Sequence, residues 1–189
     1  MTVIDWRDVR HAIWDWFSAA TGLETIWADQ NAPQPAYPYA SLNLIAGSIP
    51  MGARDEEQWT ADGGLRLVGQ RDLTVSCQVH AGPKREALRT IDALALVHEA
   101  ISSLARPDVK QSFAEAGLGV RERGTPQSID VLVGADWISR QNFDLRLGLA
   151  SVVDIDPDSI GWFDKAAVSS DFEGLDPSSN LNLDDEIVP

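Results

Sequence analysis

The sequence predicts an α+β domain in which an antiparallel or mixed sheet is covered on one face by two helices. Two segments, residues 65–80 and 141–152, alternate apolar and polar side chains, a pattern typical of half-buried strands. Residues 5–20 instead repeat apolar side chains at helical spacing. A long loop and an extended acidic C-terminal tail complete the predicted architecture.

The first helix is predicted over residues 5–20. Its apolar stripe consists of Trp6, Val9, Ile13, Trp16, Phe17 and Ala20. Asp5 is a suitable N-cap, because its carboxylate can accept hydrogen bonds from the free amides of the first turn. Thr21 and Gly22 provide a suitable stop, since glycine readily adopts the left-handed conformation that ends a helix.

A short strand at residues 23–28 leads into residues 27–40, which we name the proline segment. Its prolines are Pro33, Pro35 and Pro38. They exclude a helix and push each preceding residue towards extended geometry. The segment is therefore stiff, and it leads into the next predicted strand, at residues 39–46.

The proline segment also carries three aromatic residues, Trp27, Tyr37 and Tyr39. A stiff aromatic segment loses little conformational entropy when it docks. We expect the segment to contact a neighbouring subunit or partner. The alternative is a rigid connector that stabilises its own fold.

Residues 47–64 form a long polar connection that contains Asp55, Glu56, Glu57 and Trp59. It is longer than the ~12–15 residues usual for a structureless loop inside a compact domain. We therefore expect the loop to be mobile or to bind something.

The second half of the chain begins with the strand at 65–80, in which Gly69 is expected to mark a bulge or turn. A second helix is predicted at 84–105 and is ended by Pro107. Its expected apolar stripe is Leu88, Ile91, Ala95, His98 and Ile101. Residues 118–123 and 129–133 are expected to form a hairpin around Gly124 and Pro126, before the strand at 141–152.

Charge divides the chain into two predicted regions, a domain at 1–153 and an acidic tail at 154–189. The whole chain has 29 acidic and 15 basic residues, for a net charge of −14. The tail's composition favours disorder, and we expect it to dock on its own domain or on a neighbour. Such an acidic chain lacks the basic surface of a nucleic-acid binder.

Possible catalytic and metal-binding residues are few. Asp154, Asp156 and Asp158 open a calcium-loop pattern, but Ser159 and Lys165 stand where glycine and glutamate are needed. Cys77 lies on the apolar side of a strand, which favours a buried structural thiol. No site for catalysis, a cofactor or a metal is predicted.

The three histidines are scattered, without the spacing of a metal pair. His98 is interpreted as a core histidine. His80 ends a strand on its polar face and could contact a neighbour.

The chain begins without an apolar signal core and has no apolar run of membrane-spanning length, so we expect a soluble protein made in the cytoplasm, with no membrane partner.

Several motifs occur in an order that resembles the tail-terminator (neck) proteins of long-tailed bacteriophages. They are Asn31-Ala-Pro-Gln-Pro-Ala-Tyr-Pro-Tyr-Ala40, Gly69-Gln-Arg71, Leu73-Thr-Val-Ser-Cys-Gln-Val79, Trp137-Ile-Ser-Arg140 and Phe143-Asp-Leu145. The resemblance covers roughly residues 5–150 and does not explain the acidic tail.

The resemblance implies a structural virion protein, assembled in the host cytoplasm, that forms a homo-oligomeric ring, usually of six copies. The ring would terminate the tail tube, contact the tail tube protein and a head-side connector or stopper, and let DNA pass without binding it. The expected interface residues are Trp27, Pro33, Pro35, Tyr37, Pro38, Tyr39, Trp59, Arg71 and Arg140. Asp55, Glu56 and Glu57 are expected to line the channel, where acidic charge would repel DNA.

Other interpretations remain open at this stage. Arg71 and Arg140 could instead form surface or intrachain ion pairs. The protein could be a head-closure or tail-completion adaptor, or a monomeric module that binds a basic partner through its loop and tail. A small hydrolase with an unfamiliar site is the remaining alternative.

Overall fold

The computed structural model describes residues 4–30, 33–50, 55–84 and 91–160. The acidic tail after residue 160, and with it the expected docking of the tail, lies outside these ranges. The same is true of Leu88 in the expected helical stripe. In the described part of the chain, no helix is long and apolar enough to cross a membrane.

Eight strands of the described residues form one mixed sheet. They are β1 (Thr25–Trp27), β2 (Tyr39–Pro50), β3 (Glu56–Trp59), β4 (Leu65–Pro83), β5 (Leu118–Arg123), β6 (Gln127–Ser128), β7 (Val131–Val133) and β8 (Asp136–Ile155). The main order is β1-β2-β4-β8-β5, with β3 beside β4, and β6 and β7 beside β8. Only the β1–β2 pair is parallel among these strands. The α+β class and the mixed sheet are confirmed.

The two long central strands carry the core. Their inward side chains are Leu73, Val75, Cys77 and Val79 on β4 and Phe143, Leu145, Leu147 and Leu149 on β8, all buried. This is the predicted alternation, and it pairs β4 with β8 from Leu65–Ile155 to Pro83–Ile138. Burial of each large apolar side chain contributes roughly 1.5–3 kcal/mol.

The helices are α1 (Trp6–Thr21), α2 (Ala93–Ser103), α3 (Pro107–Glu115) and the short α4 (Pro157–Ile160). α1 is confirmed, because the Asp5 carboxylate accepts hydrogen bonds from the Arg7 and Asp8 amides and Gly22 ends the helix at φ 65°. Phe17 of α1 packs against Phe143 at 6.2 Å between ring centroids.

Three helices rather than two contribute to the core on the apolar face of the sheet. Pro107 does not simply end the second helix, because it begins α3 at its first turn, where a missing amide hydrogen costs nothing. Phe113 of α3 meets Trp16 of α1 edge to face, with ring centroids 5.7 Å apart.

The second helix is shorter and rotated relative to the prediction. Asp92 caps it by accepting from the Leu94 and Ala95 amides, so α2 starts at Ala93. Its buried face is Ala93, Val97, Ala100 and Leu104. His98 is exposed, so its interpretation as a core histidine is wrong. The helix carries apolar residues on all of its sides. Their spacing in the sequence therefore did not indicate which side is buried.

Three loop and turn predictions are also wrong. Residues 47–64 are not one loop, because β2 continues to Pro50 and β3 forms a hairpin with β4. Gly69 pairs regularly with Ser151, and the irregularity in β4 lies between His80 and Gly82. Residues 118–123 and 129–133 do not pair with each other, because β5 and β7 both pair with β8. β8 continues through the predicted boundary after residue 153 to Ile155.

Candidate functional site

The proline segment divides into a buried part and an exposed part. Trp27 is only 5% exposed and lies under the Arg10 guanidinium, 4.4 Å from the ring centroid. Tyr39 is buried as well, whereas Pro33 is exposed and Tyr37 is 40% exposed. The two buried aromatics therefore serve the chain's own fold, and the exposed residues offer surface to a partner.

A stack of rings fastens this segment to β4. Tyr37 lies 5.5 Å from Tyr39, and Tyr39 stacks on His80 at 4.3 Å with nearly parallel planes. Pro35 and Pro38, on either side of Tyr37 in the sequence, are partly buried. Gly82 makes room for the stack, since a Cβ there would lie 2.9 Å from the Tyr37 Cβ. The exposed edge of the segment is thus held in a fixed position by its buried neighbours.

His80 is an intrachain group rather than a surface contact. It is 6% exposed, and its Nε2 lies 2.9 Å from the Ser41 hydroxyl oxygen. Burial, with a smaller contribution from Arg140, lowers the pKa of His80 from 6.5 to about 4. A neutral imidazole with so low a pKa is a weak general base, and the Tyr39 ring covers it. We interpret the Ser41–His80 pair as part of the packed stack.

Arg140 lies on the same face of the sheet as His80, which is the polar face opposite the buried core. Its Nη2 donates to Gln78 Oε1 at 2.8 Å, and its backbone amide donates to Asp130 Oδ1 at 2.8 Å. The residue is half-buried and lies opposite His80 on the neighbouring strand. These contacts orient its guanidinium across the face of the sheet that carries no helix in the described part of the chain.

Arg71 and Asp55 form a bidentate ion pair, with both nitrogen–oxygen distances at 2.6 Å. The hydrogen bonds from Arg71 lower the pKa of Asp55. Gly69 permits this contact, because a Cβ at that position would collide with both side chains. The structure therefore brings Arg71 together with Asp55 inside one chain. The negative charge of the Asp55 carboxylate is balanced by the Arg71 guanidinium.

Glu56, Glu57 and Trp59 all lie on β3 and are exposed. Since successive residues of a strand point to opposite faces, Glu57 and Trp59 share one face and Glu56 lies on the other. The acidic residues are therefore placed on a hairpin next to the long β4 strand.

A buried acidic residue on the polar face was not predicted from the sequence. Asp72 is 1% exposed and contacts Arg121 of β5 and Arg146 of β8. Gly148 leaves space for Arg121, since a Cβ there would collide with its guanidinium. Asp72 is the one acidic residue of β4, and an acidic residue in the middle of a long strand was the sequence signal that could have identified this cluster.

A second unpredicted feature is the ribbon formed by β7 and the start of β8, residues 131–138. Leu132 and Trp137 face each other across it and are each 53% exposed. Val131 and Val133 are also exposed. Two short apolar runs on either side of Gly134 and Ala135 are the sequence signal for such a ribbon.

The acidic residues near the end of β8, which resemble the start of a calcium loop, make other contacts in the structure. Asp154 pairs with Arg66 at 2.6 Å, and Asp156 accepts a hydrogen bond from the Asp158 amide. Within the described residues, no three His, Cys, Asp or Glu side chains are grouped so that they could hold a metal ion.

Comparison with known proteins gives one family. The sequence model of a family described as phage neck terminator protein matches residues 7–174. No curated protein matches the chain. Among the solved structures that match, one has 18% identity over 79% of this chain and 96% of its own, at a TM-score of 0.39, a likeness too low to carry an argument.

Proposed function

The chain belongs to the phage neck terminator family and is a structural protein of the virion neck, and from this we propose that it forms a closed ring of six copies that terminates the tail tube. In this proposal the ring joins the tube protein to the head-side connector and leaves a central channel for DNA. The observation that supports the proposed ring is the polar face of the long β4–β8 sheet, which no helix of the described residues covers.

That face is suited to an assembled protein. It carries the Tyr39–His80 stack, Arg140 and the Asp72 cluster. These groups are fixed by intrachain contacts, so the face is rigid before any partner arrives. Rigid surfaces lose less entropy on association than mobile ones.

In this proposal the interface residues predicted from the sequence contribute in three ways: by direct contact, by positioning a neighbour, or by keeping the segment rigid. Pro33, Tyr37 and Trp59 would make direct contact, because they are exposed. Trp27, Tyr39, Arg71 and Arg140 would act by positioning their exposed neighbours. Pro35 and Pro38 would keep the contact segment rigid.

We further propose that the β3–β4 hairpin projects into the channel, so that Glu56 on one face of β3 and Glu57 on the other both face the DNA. Both are exposed on β3, whereas Asp55 is paired with Arg71. Acidic side chains would repel the DNA backbone and keep it from adhering during passage.

Native mass spectrometry of the purified chain, combined with negative-stain microscopy of isolated tail tubes, tests this proposal. The expected result is a closed ring in solution and a ring at one end of each tube. A chain that stays monomeric at all concentrations and never binds tube ends would overturn the proposal and favour a monomeric binding module.

A further inference from the structure

A groove on the opposite side of the molecule from the β7–β8 ribbon is unusually rich in tryptophan. α1 and β1 border an open groove of about 650 Å³ that is lined by Trp6, Trp14 and Trp27 together with Arg7, Arg10 and His11. Tryptophan and arginine are the residues most enriched where protein partners bind tightly.

The groove is preformed. The Trp14 indole nitrogen donates to the Thr25 carbonyl oxygen at 2.6 Å, which fixes one wall. Arg10 covers Trp27 and is held by Asp29 at 2.9 Å. Trp6 packs over Gly47, where a Cβ would lie 3.5 Å from its ring. A guest would therefore meet an open groove whose side chains are already held in place by contacts within the chain.

The ribbon at residues 131–138 presents an exposed apolar surface that such a groove could receive. Leu132 and Trp137 form a paired apolar projection, and Asp130 and Asp136 flank it. Clustered exposed apolar side chains of this size mark interaction sites. Asp136 of the ribbon and the exposed Arg7 of the groove carry opposite charges, whereas Asp130 is already paired with Lys84 and Arg10 with Asp29.

The order of strands places these two surfaces on opposite edges of the sheet. β1 lies at one end of the order β1-β2-β4-β8-β5, and β7 pairs with the far side of β8, next to β5 and β6. The ribbon therefore lies across the sheet from the groove of its own chain. A closed ring uses two different patches on each copy, one meeting the other on the next copy, and the groove and the ribbon are two such patches.

We propose that the β7–β8 ribbon of one copy docks in the α1–β1 groove of the next copy, with Leu132 and Trp137 packed against Trp6, Trp14 and the Arg10 side chain that covers Trp27. This contact rests on the proposed ring. It assigns the ring's heterologous interface to two surfaces outside the proline segment.

Cross-linking in mixed rings tests the contact directly. One variant carries Leu132→Cys in the ribbon and a second carries Gln30→Cys in the groove, and a short bismaleimide is added to each alone and to their mixture. Cys77 is fully buried, and buried thiols react poorly; the unsubstituted chain measures any background.

The expected result is a covalent dimer in the mixture and in neither variant alone. Cross-linking of the Leu132→Cys variant alone would indicate a two-fold contact between ribbons and would overturn the proposal. Rings that form normally in the mixture but do not cross-link would overturn this contact while leaving the ring itself intact. Failure of the unsubstituted chain to form rings would overturn both.

A matched pair of substitutions gives a second measurement. Leu132→Ser removes the apolar projection, and Leu94→Ser makes the same chemical change at an exposed position on α2. The concentration at which rings form should rise about tenfold or more for Leu132→Ser, as for an interface hot spot, and stay unchanged for Leu94→Ser. Equal behaviour of the two variants, with unchanged circular dichroism, would contradict the proposal.

Discussion

Asp72 and Arg146, 74 positions apart in the sequence, are joined on the polar face of the sheet by two contacts to one carboxylate oxygen. The Arg146 Nε donates to Asp72 Oδ2 at 2.8 Å, and its Nη2 lies 2.6 Å from the same atom. Arg121 Nε lies 2.9 Å from the other oxygen. One buried carboxylate therefore links β4, β8 and β5.

The irregular register of β5 makes this cluster possible. Pairing shifts between Val120 and Glu122, so that Arg121 occupies an extra position opposite β8. A bulge of this kind redirects a side chain, and here it places Arg121 over Gly148. The same shift brings Glu122 within 3.8 Å of Arg146.

Removing both arginines should cost more than removing the carboxylate. Asp72→Asn leaves two partly exposed guanidinium groups that water can solvate, so we expect a loss of about 1–2 kcal/mol in the free energy of unfolding. Arg121→Ala combined with Arg146→Ala leaves a buried charge unpaired, with an expected loss of about 3–5 kcal/mol. Urea denaturation of the variants measures both values, and the reverse ranking would contradict the structure.

The His80 imidazole should make stability depend on pH below neutrality. Its pKa is lowered from 6.5 to about 4 in the folded chain, so the unfolded chain binds the proton more tightly. The stabilising contribution is complete above pH 6.5 and is lost as pH falls towards 4, by roughly 3 kcal/mol in total.

Urea denaturation between pH 7 and 4 measures this effect. His80→Gln should flatten the curve in that window, whereas His98→Gln, at an exposed position on α2, should leave it unchanged. The same slope in all three proteins would show that other groups are responsible.

The elements that the sequence predicted best are those specified by local patterns. α1 follows from its stripe, the Asp5 cap and Gly22, and the two central strands follow from strict alternation. Pro107 was misread because a proline that stops one helix is equally suited to begin another. Strand partners were missed because alternation shows which side of a strand is buried and says nothing about which strand lies next to it.

The candidate site was less predictable for the same reason. The proline segment was visible because its signal is local, but the Asp72 cluster joins residues from three strands that only the topology brings together. The pairing of Arg71 with Asp55 likewise depends on the β3–β4 hairpin, which sequence reasoning had treated as a loop.

The two tyrosines of the proline segment should have separable effects. Tyr39→Ala removes a buried ring from the stack on His80, and we expect the free energy of unfolding to fall by about 3–5 kcal/mol, as for other buried aromatics. Tyr37→Phe tests only the exposed hydroxyl, and Tyr37→Ser removes the exposed ring. We expect Tyr37→Ser to weaken ring formation more than it weakens folding, as measured by native mass spectrometry and thermal unfolding. A pure connector role would instead make the two losses parallel.

Reversing the charge of Glu56 and Glu57 tests the proposed channel wall. The double variant Glu56→Lys, Glu57→Lys should still fold and assemble, because both side chains are exposed on β3. DNA passing a ring of basic side chains would be retained by its phosphates, so we expect ejection from purified particles to slow by roughly tenfold or more at low salt. The delay should shrink at high ionic strength, because salt screens exposed charges.

The control is Glu99→Lys with Glu115→Lys, which makes the same change in charge on exposed helical positions. If both double variants eject DNA at the rate of the unsubstituted particle, Glu56 and Glu57 do not face the DNA.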